Sequence, residues 1–453
     1  MKSINKNVRL RRELGLFSAV SLIISVMLGS GIFVSPANVL RNTGSIGMCL
    51  VIWTLCGLLS LLGALSYSEL GSIVSKSGGE FSFYQYAFAD MHKFWGPLVS
   101  FVYSWVAIMY VRPAEVAIII LTFAEYFIRP ISLVMLIDPN NEVLLNKIVS
   151  ILALGNIQNL KTGFEGTTSS MNNLVVAFYS GLWSYDGWTA SITVFEEIKN
   201  PQRNIFLSIL LAVPFVTLIY VLMNVSYLTV LTISEMMSVQ AVAVEFGARA
   251  LGNFSLIIPL GVAVATFGCA LSIQFGITRL CFVASREGQM LEVFSYVSVK
   301  KLTPAPAVVL QGILTLICLL AGDIITLIEF ASFLGWMFYG ISMVALLVMR
   351  FTKSDIKRQF KVPIIIPVFV LIVSVVLFLT PIVYNPRPQY LIALVFILSA
   401  FLIYIPFVYQ KRRLTVVDSF TKYTQLLMDV VPPECEESEV TEKCLNNKES
   451  EKV

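Results

Sequence analysis

Ten runs of about twenty apolar residues constrain this chain more than any other feature. A helix of about 20 residues crosses the roughly 30 Å hydrocarbon core of a bilayer. Ordinary soluble domains carry about 25% charged residues, and this chain carries 13%. Backbone polar groups in lipid must be satisfied within the segment, which selects helices. We therefore read an all-α polytopic membrane protein, with spans near 14–40, 44–72, 97–128, 173–197, 205–231, 255–282, 306–323, 327–349, 364–384 and 389–409.

Charge position suggests the orientation. Lys2, Lys6, Arg9, Arg11 and Arg12 precede the first run, which is span-length, so it is no cleaved signal. The excess of Lys and Arg places residues 1–13 in the cytoplasm. The same rule places inside Lys76, Lys199 with Arg203, Arg286 with Lys300 and Lys301, the cluster from Arg350 to Lys361, and Lys411 to Arg413. The expected division is a cytoplasmic N-terminus (1–13), a transmembrane domain (14–412) and a cytoplasmic tail (413–453). Within the tail, Thr415 to Val431 reads as an interfacial amphipathic segment with Leu426, Leu427, Val430 and Val431 as its apolar side. Residues 434–453 are polar and expected to be disordered.

Two glycine-bearing breaks interrupt these runs: Gly29 to Phe33, and Gly181 to Trp188. Glycine costs a helix about 1 kcal/mol, and unpaired backbone in lipid costs more, so such breaks persist where they line a cavity or site. Interrupted helices in the two halves of a polytopic chain point to a transporter's substrate site. Half-helix N–H groups suit a carboxylate, and freed carbonyls suit an ammonium. Together they suit an amino acid. Ser30 and Gly31 are the expected carboxylate holders, and Met27 offers its carbonyl to the ammonium; a small-residue packing patch is the competing reading. In the second break, Trp183 suits a large side chain or a cation, with Ser184 beside it. Asp186 is an acid near the middle of a span, which marks a functional site by default; a structural salt bridge or a neutral acid is the alternative. Arg112 has Glu115 three residues on, on the same helical face. Their pairing would consume the charge that an anionic substrate needs.

Neither a nucleotide motif nor a charged pore ring supports an enzyme or channel. No metal, cofactor or nucleic-acid partner is expected. His92 lies in a loop. Cys49, Cys56, Cys269, Cys281 and Cys318 fall in apolar runs and Cys435 and Cys444 in the tail, a pattern of buried small hydrophobes rather than a disulfide framework.

Several of these segments, in order, resemble the light chains of heteromeric amino-acid transporters, in the APC superfamily. They are Gly29 to Pro36, Ser77 to Glu80, Gly181 to Trp188, Glu196 to Pro201, Ala284 to Gly288 and Leu302 to Ala307. The nearest likenesses are to the b(0,+)-type and cystine/glutamate exchangers, with an aromatic-preferring relative also open. The resemblance implies a LeuT/APC-type inverted-repeat fold with broken first and sixth spans. It also implies a plasma-membrane location, cytoplasmic termini and a single-span heavy-chain glycoprotein partner. By resemblance, Trp183 gates the side chain, and Asp186 matches an aspartate of the b(0,+)-type exchanger. The position of Arg112 holds Arg or Lys in the family. The sequence departs from the pattern at Ser25-Val26, where the family has Gly-Thr.

It departs most at 129–171, where two full spans are expected. Ile131 to Ile137 and Val143 to Leu154 are each too short to cross. Most of the fourth span and all of the fifth are missing, including a lysine that stands where sodium sits in relatives. About ten spans instead of twelve result, and the first repeat is incomplete. The outer loop that would carry the heavy-chain cysteine, Leu133 to Pro139, has none. The expected function is sodium-independent exchange of neutral, dibasic or aromatic L-amino acids. The alternative is a non-transporting subunit that alters the trafficking of heavy or light chains.

Overall fold

The chain is known from a computed structural model, which describes residues 14–74, 78–122, 162–193, 195, 198–239, 241–251, 255–299, 303–321, 324–356, 358, 360–384, 388–412 and 415–432. Most of the shortened segment expected at 129–171, the sixth-span motif residues Glu196 and Glu197, and Cys435 and Cys444 therefore lie outside the described residues.

The first apolar run folds as two helices, α1 (Leu16–Met27) and α2 (Gly31–Thr43), bent by 48° at the break. Then come α3 (Ile46–Ile73), the short α4 (Glu80–Phe88) and α5 (Trp95–Thr122). α5 contains a π-helical stretch, Ala107–Val111, ending immediately before Arg112. Such bulges gather at functional sites because they turn the following side chains. The second broken run gives α6 (Met171–Ser184) and α7 (Ala190–Thr193). It is followed by α8 (Pro201–Val230), α9 (Ile233–Ser238), α10 (Val242–Leu251), α11 (Ile257–Arg286) and α12 (Ala305–Ala321). The last helices are α13 (Ile324–Thr352), α14 (Ile365–Tyr384), α15 (Pro388–Ile403, continued by the π-helical stretch Tyr404–Tyr409) and α16 (Thr415–Met428).

Among the described residues, seven helices are long and apolar enough to cross a membrane, and the bent α1–α2 pair makes an eighth. α12 is apolar but shorter, and α6 spans only Met171–Ser184. The outer surface of the molecule is greasy, and several polar and charged side chains are buried within its largely apolar interior. Phe215, Leu218 and Leu222 on α8 and Val264, Phe267 and Leu271 on α11 are exposed, whereas Glu69, Glu80, Glu115 and Asn224 are buried. The protein is an integral membrane protein.

The two broken runs form the centre. α2 packs along α6, α1 along α8, and α3 lies against α8. Several described segments near those expected inside meet at one end. There Lys199 N donates to Leu14 O (2.8 Å), Gln289 Nε2 to Ser100 Oγ (2.9 Å), and Lys353 Nζ lies 3.7 Å from Asp90. At the same end the fully buried Glu69 pairs with Arg350 and Arg358, and Val362 N donates to it at 2.9 Å. Breaking a buried pair by removing one partner costs about 3–5 kcal/mol, so this network fixes α3 to the far end of α13. At the opposite end Gly47 N donates to Gly163 O (2.6 Å) and Thr168 N to Thr43 O (2.9 Å).

The tail differs from its expectation in one respect. The amphipathic helix α16 ends at Met428, with Val416, Tyr423, Leu426 and Leu427 exposed. Val430 and Val431 are not on its apolar side. They form strand β2 (Val430–Val431), antiparallel to β1 (Val297–Ser298), with Val430 buried. Asp429 takes a positive φ of 52° and turns the chain out of the helix, so helical periodicity stops short of the two valines.

Candidate functional site

The two breaks interlock. α1 ends at Met27 with Leu28 as its C-cap, and Ser30 is the N-cap of α2. A Cβ on Gly31 would lie 2.4 Å from Ser184 Cα, so the glycine is required for the contact between the two broken runs. Gly187 meets the first run reciprocally. Its φ is +118°, and a Cβ there would lie 2.6 Å from Val26 Cγ1 and 3.1 Å from Met27 N. Both conditions select glycine, one by space and the other by backbone conformation.

Carbonyls freed by the breaks find a shared donor. The Tyr220 hydroxyl, on α8, reaches Met27 O and also Ser184 O (2.9 Å). Its one proton serves these two acceptors from different broken runs. Cys269 Sγ on α11 donates to Val26 O at 3.4 Å. Met27, Ser30 and Ser184 are all buried.

Beside this junction lies a narrow cavity. Trp183, Trp188, Trp336, Tyr339 and Tyr103 supply aromatic walls, and Ser60 and Ser332 lie among them. The charged groups on its lining are Arg112, Glu80, Glu115 and Asp186. Arg112 Nη1 holds Glu115 at 2.9 and 3.2 Å, the intrahelical pair that the spacing anticipates. Asp186 Oδ1 accepts from Gly187 N (3.0 Å) and from the Tyr339 hydroxyl (2.8 Å). Tyr103 donates to Glu80 Oε2 at 3.0 Å. A small cavity with aromatic walls and a few convergent polar groups is the usual form of a small-molecule site.

Of the residues expected from sequence, Arg112, Trp183 and Asp186 come together on this lining. Met27, Ser30, Gly31 and Ser184 instead form the junction between the breaks and are not on the cavity lining. Tyr220, Tyr339, Tyr103 and Glu80 escaped the sequence reading as site residues. Tyr220 lies deep in a 30-residue apolar helix, where a phenol needs a partner; that was its only signal. The described residues hold no group of three or more metal-ligating side chains, and the five described cysteines are buried and unpaired with one another.

The amino acid permease family model matches residues 14–153 and 144–428. The b(0,+)-type amino acid transporter 1 of Rattus norvegicus is 41% identical over 469 residues, covering 95% of each chain. The human cystine/glutamate transporter is 37% identical over 471, covering 95% of this chain and 92% of the other. The human large neutral amino acids transporter small subunit 2 is 32% identical over 496, covering 98% and 90%. An alignment of 469 positions that takes in 95% of 453 residues leaves about 40 positions at which the rat protein has a residue and this chain has none.

Proposed function

The chain belongs to the amino acid permease family, and on that premise we propose that it is a sodium-independent exchanger of neutral and dibasic L-amino acids. The observation that carries the reading is the cavity: Asp186 stands in it beside Trp183, while Arg112 is engaged by Glu115. An anionic substrate would meet three carboxyl groups and one guanidinium that is already paired. A cationic or neutral side chain meets an acid and aromatic faces, which favour cations. In this reading the α-carboxylate is received by N–H groups of Ser30 and Gly31 at the start of α2, and the ammonium by Met27 O. Both lie in the closed junction, so binding requires the two breaks to part and Tyr220 to release its acceptor.

Uptake of radiolabelled arginine, leucine, tyrosine and glutamate into proteoliposomes, with and without sodium, tests the proposal. Arginine or leucine uptake without sodium, stimulated by amino acid inside, is expected. Strict sodium dependence or glutamate as the best substrate would overturn it.

A second reading has its own support. The roughly 40 absent positions and the split of the family match at 144–153 agree with loss of a two-span hairpin. A chain shortened in this way acts as a non-transporting subunit that binds heavy or light chains. Absence of uptake by a correctly inserted protein favours that reading. We further place the protein in the plasma membrane with both termini cytoplasmic, paired noncovalently with a single-span heavy-chain glycoprotein.

A further inference from the structure

The segment Gly78-Gly79-Glu80 is unused by the reading above, yet it delivers a carboxyl group to the same cavity. Gly78 and Gly79 both take positive φ, +118° and +55°, and a Cβ on Gly78 would lie 2.5 Å from Ser82 Oγ. Gly79 caps α4, and Glu80 is its first residue. Glu80 is buried, lines the cavity and accepts from Tyr103 at 3.0 Å. Tyr67, Tyr84, Arg112 and Tyr339 also lie within electrostatic reach of it.

Tyr103 and Arg112 both line the cavity and are nine residues apart, about 13 Å at 1.5 Å per residue. α5 starts at Trp95, at the end of the molecule where Ser100 meets Gln289 and Asp90 meets Lys353. Glu80 and Tyr103 therefore enter the cavity from the side of the inner loops, and the Tyr103 side chain also reaches Arg112 across it. Because Arg112 and Glu115 neutralise each other, two acids remain for a cation: Asp186, held by Tyr339, and Glu80, held by Tyr103.

We propose that Glu80 is a second carboxyl station, which receives the cationic side chain of a dibasic amino acid as it passes between Asp186 and the cytoplasmic side. The assignment rests on the exchange reading and deepens it. A single acid at the midplane would hold the cation and slow its release; a second acid on the path supplies the next binding step, the condition for conduction through a charged passage. Tyr103 is a positioning residue, which aims the Glu80 carboxyl through its hydroxyl.

The test measures the KM for arginine and for leucine separately from each face, in oriented proteoliposomes of the full chain. Glu80→Gln is expected to raise the inner-face KM for arginine about tenfold, the loss typical of one hydrogen bond to a charged group, and that for leucine less than about threefold. Glu80→Asp, which keeps the charge, should stay closer to the unmodified protein. Tyr103→Phe should shift arginine in the same direction by a smaller factor, and it carries the test if Glu80→Gln fails to fold. Equal changes for arginine and leucine, or a change confined to the outer face, would overturn the assignment and leave the exchange reading standing. No uptake by the unmodified protein would overturn both.

Discussion

Tyr220 does most at the residue scale, because one phenol reaches carbonyls from both broken runs. Tyr220→Phe removes one net hydrogen bond, about 1 kcal/mol, and leaves two carbonyls competing for other donors. A several-fold fall in exchange rate is expected, with a small drop in thermal stability; unchanged exchange would show that the bridge is dispensable. Asp186→Gly is expected to reduce arginine uptake more than leucine uptake, since only the cationic side chain needs the acid; equal loss of both would remove Asp186 from recognition. Asp186 and the Arg112–Glu115 pair were legible in the sequence because a charge inside an apolar run stands out and i,i+3 spacing fixes its neighbour. Tyr220 and Tyr339 were not, because a tyrosine in a long apolar run reads equally as an interface anchor. Only the fold brings their hydroxyls to Ser184 and Asp186, 36 and 153 positions away.

The broken helices are held together by absent side chains, so substitutions there should grade by what the new methyl group meets. On Gly31 it meets the Ser184 main chain at 2.4 Å, which cannot turn aside. On Gly29 it meets Cys269 Sγ at 2.7 Å, the tip of a side chain that can rotate. Overpacking of this kind costs about 1–3 kcal/mol. Gly31→Ala and Gly187→Ala are expected to abolish exchange while the protein still inserts and elutes as a single species, and Gly29→Ala to lower it only partly. A reversed order, measured by uptake and size exclusion, would show that the breaks do not touch during transport. Both breaks were legible as elements because glycine pairs interrupt span-length runs. Their interlock was not, since a one-dimensional pattern carries no information on which broken run faces which. The end of α16 was misplaced by three residues for a related reason: Val430 and Val431 continue the apolar stripe in sequence, but a turn at Asp429 diverts them into a strand.

For the molecule as a whole, class and family were readable from hydrophobic runs and motif order, while the partner remains to be tested. Disulfides need Cα atoms within about 7 Å, and all five described cysteines are buried. Non-reducing electrophoresis with a co-expressed heavy chain is expected to give separate bands; a band at the summed mass that collapses with reductant would place a cysteine outside. The pairing of β1 with β2 also has a temporal side. It joins residues 297–298 to residues 430–431, a contact across more than a hundred positions. Contacts of that separation form late, because loop closure must precede any gain from them. During synthesis every hydrophobic run enters the bilayer before Val430 leaves the ribosome, so the two-residue ladder works as a completion mark on an otherwise inserted protein. A chain stopped after Met428 should reach the membrane intact yet show faster proteolysis between Glu287 and Thr303 than the full chain, a difference that limited digestion would register directly.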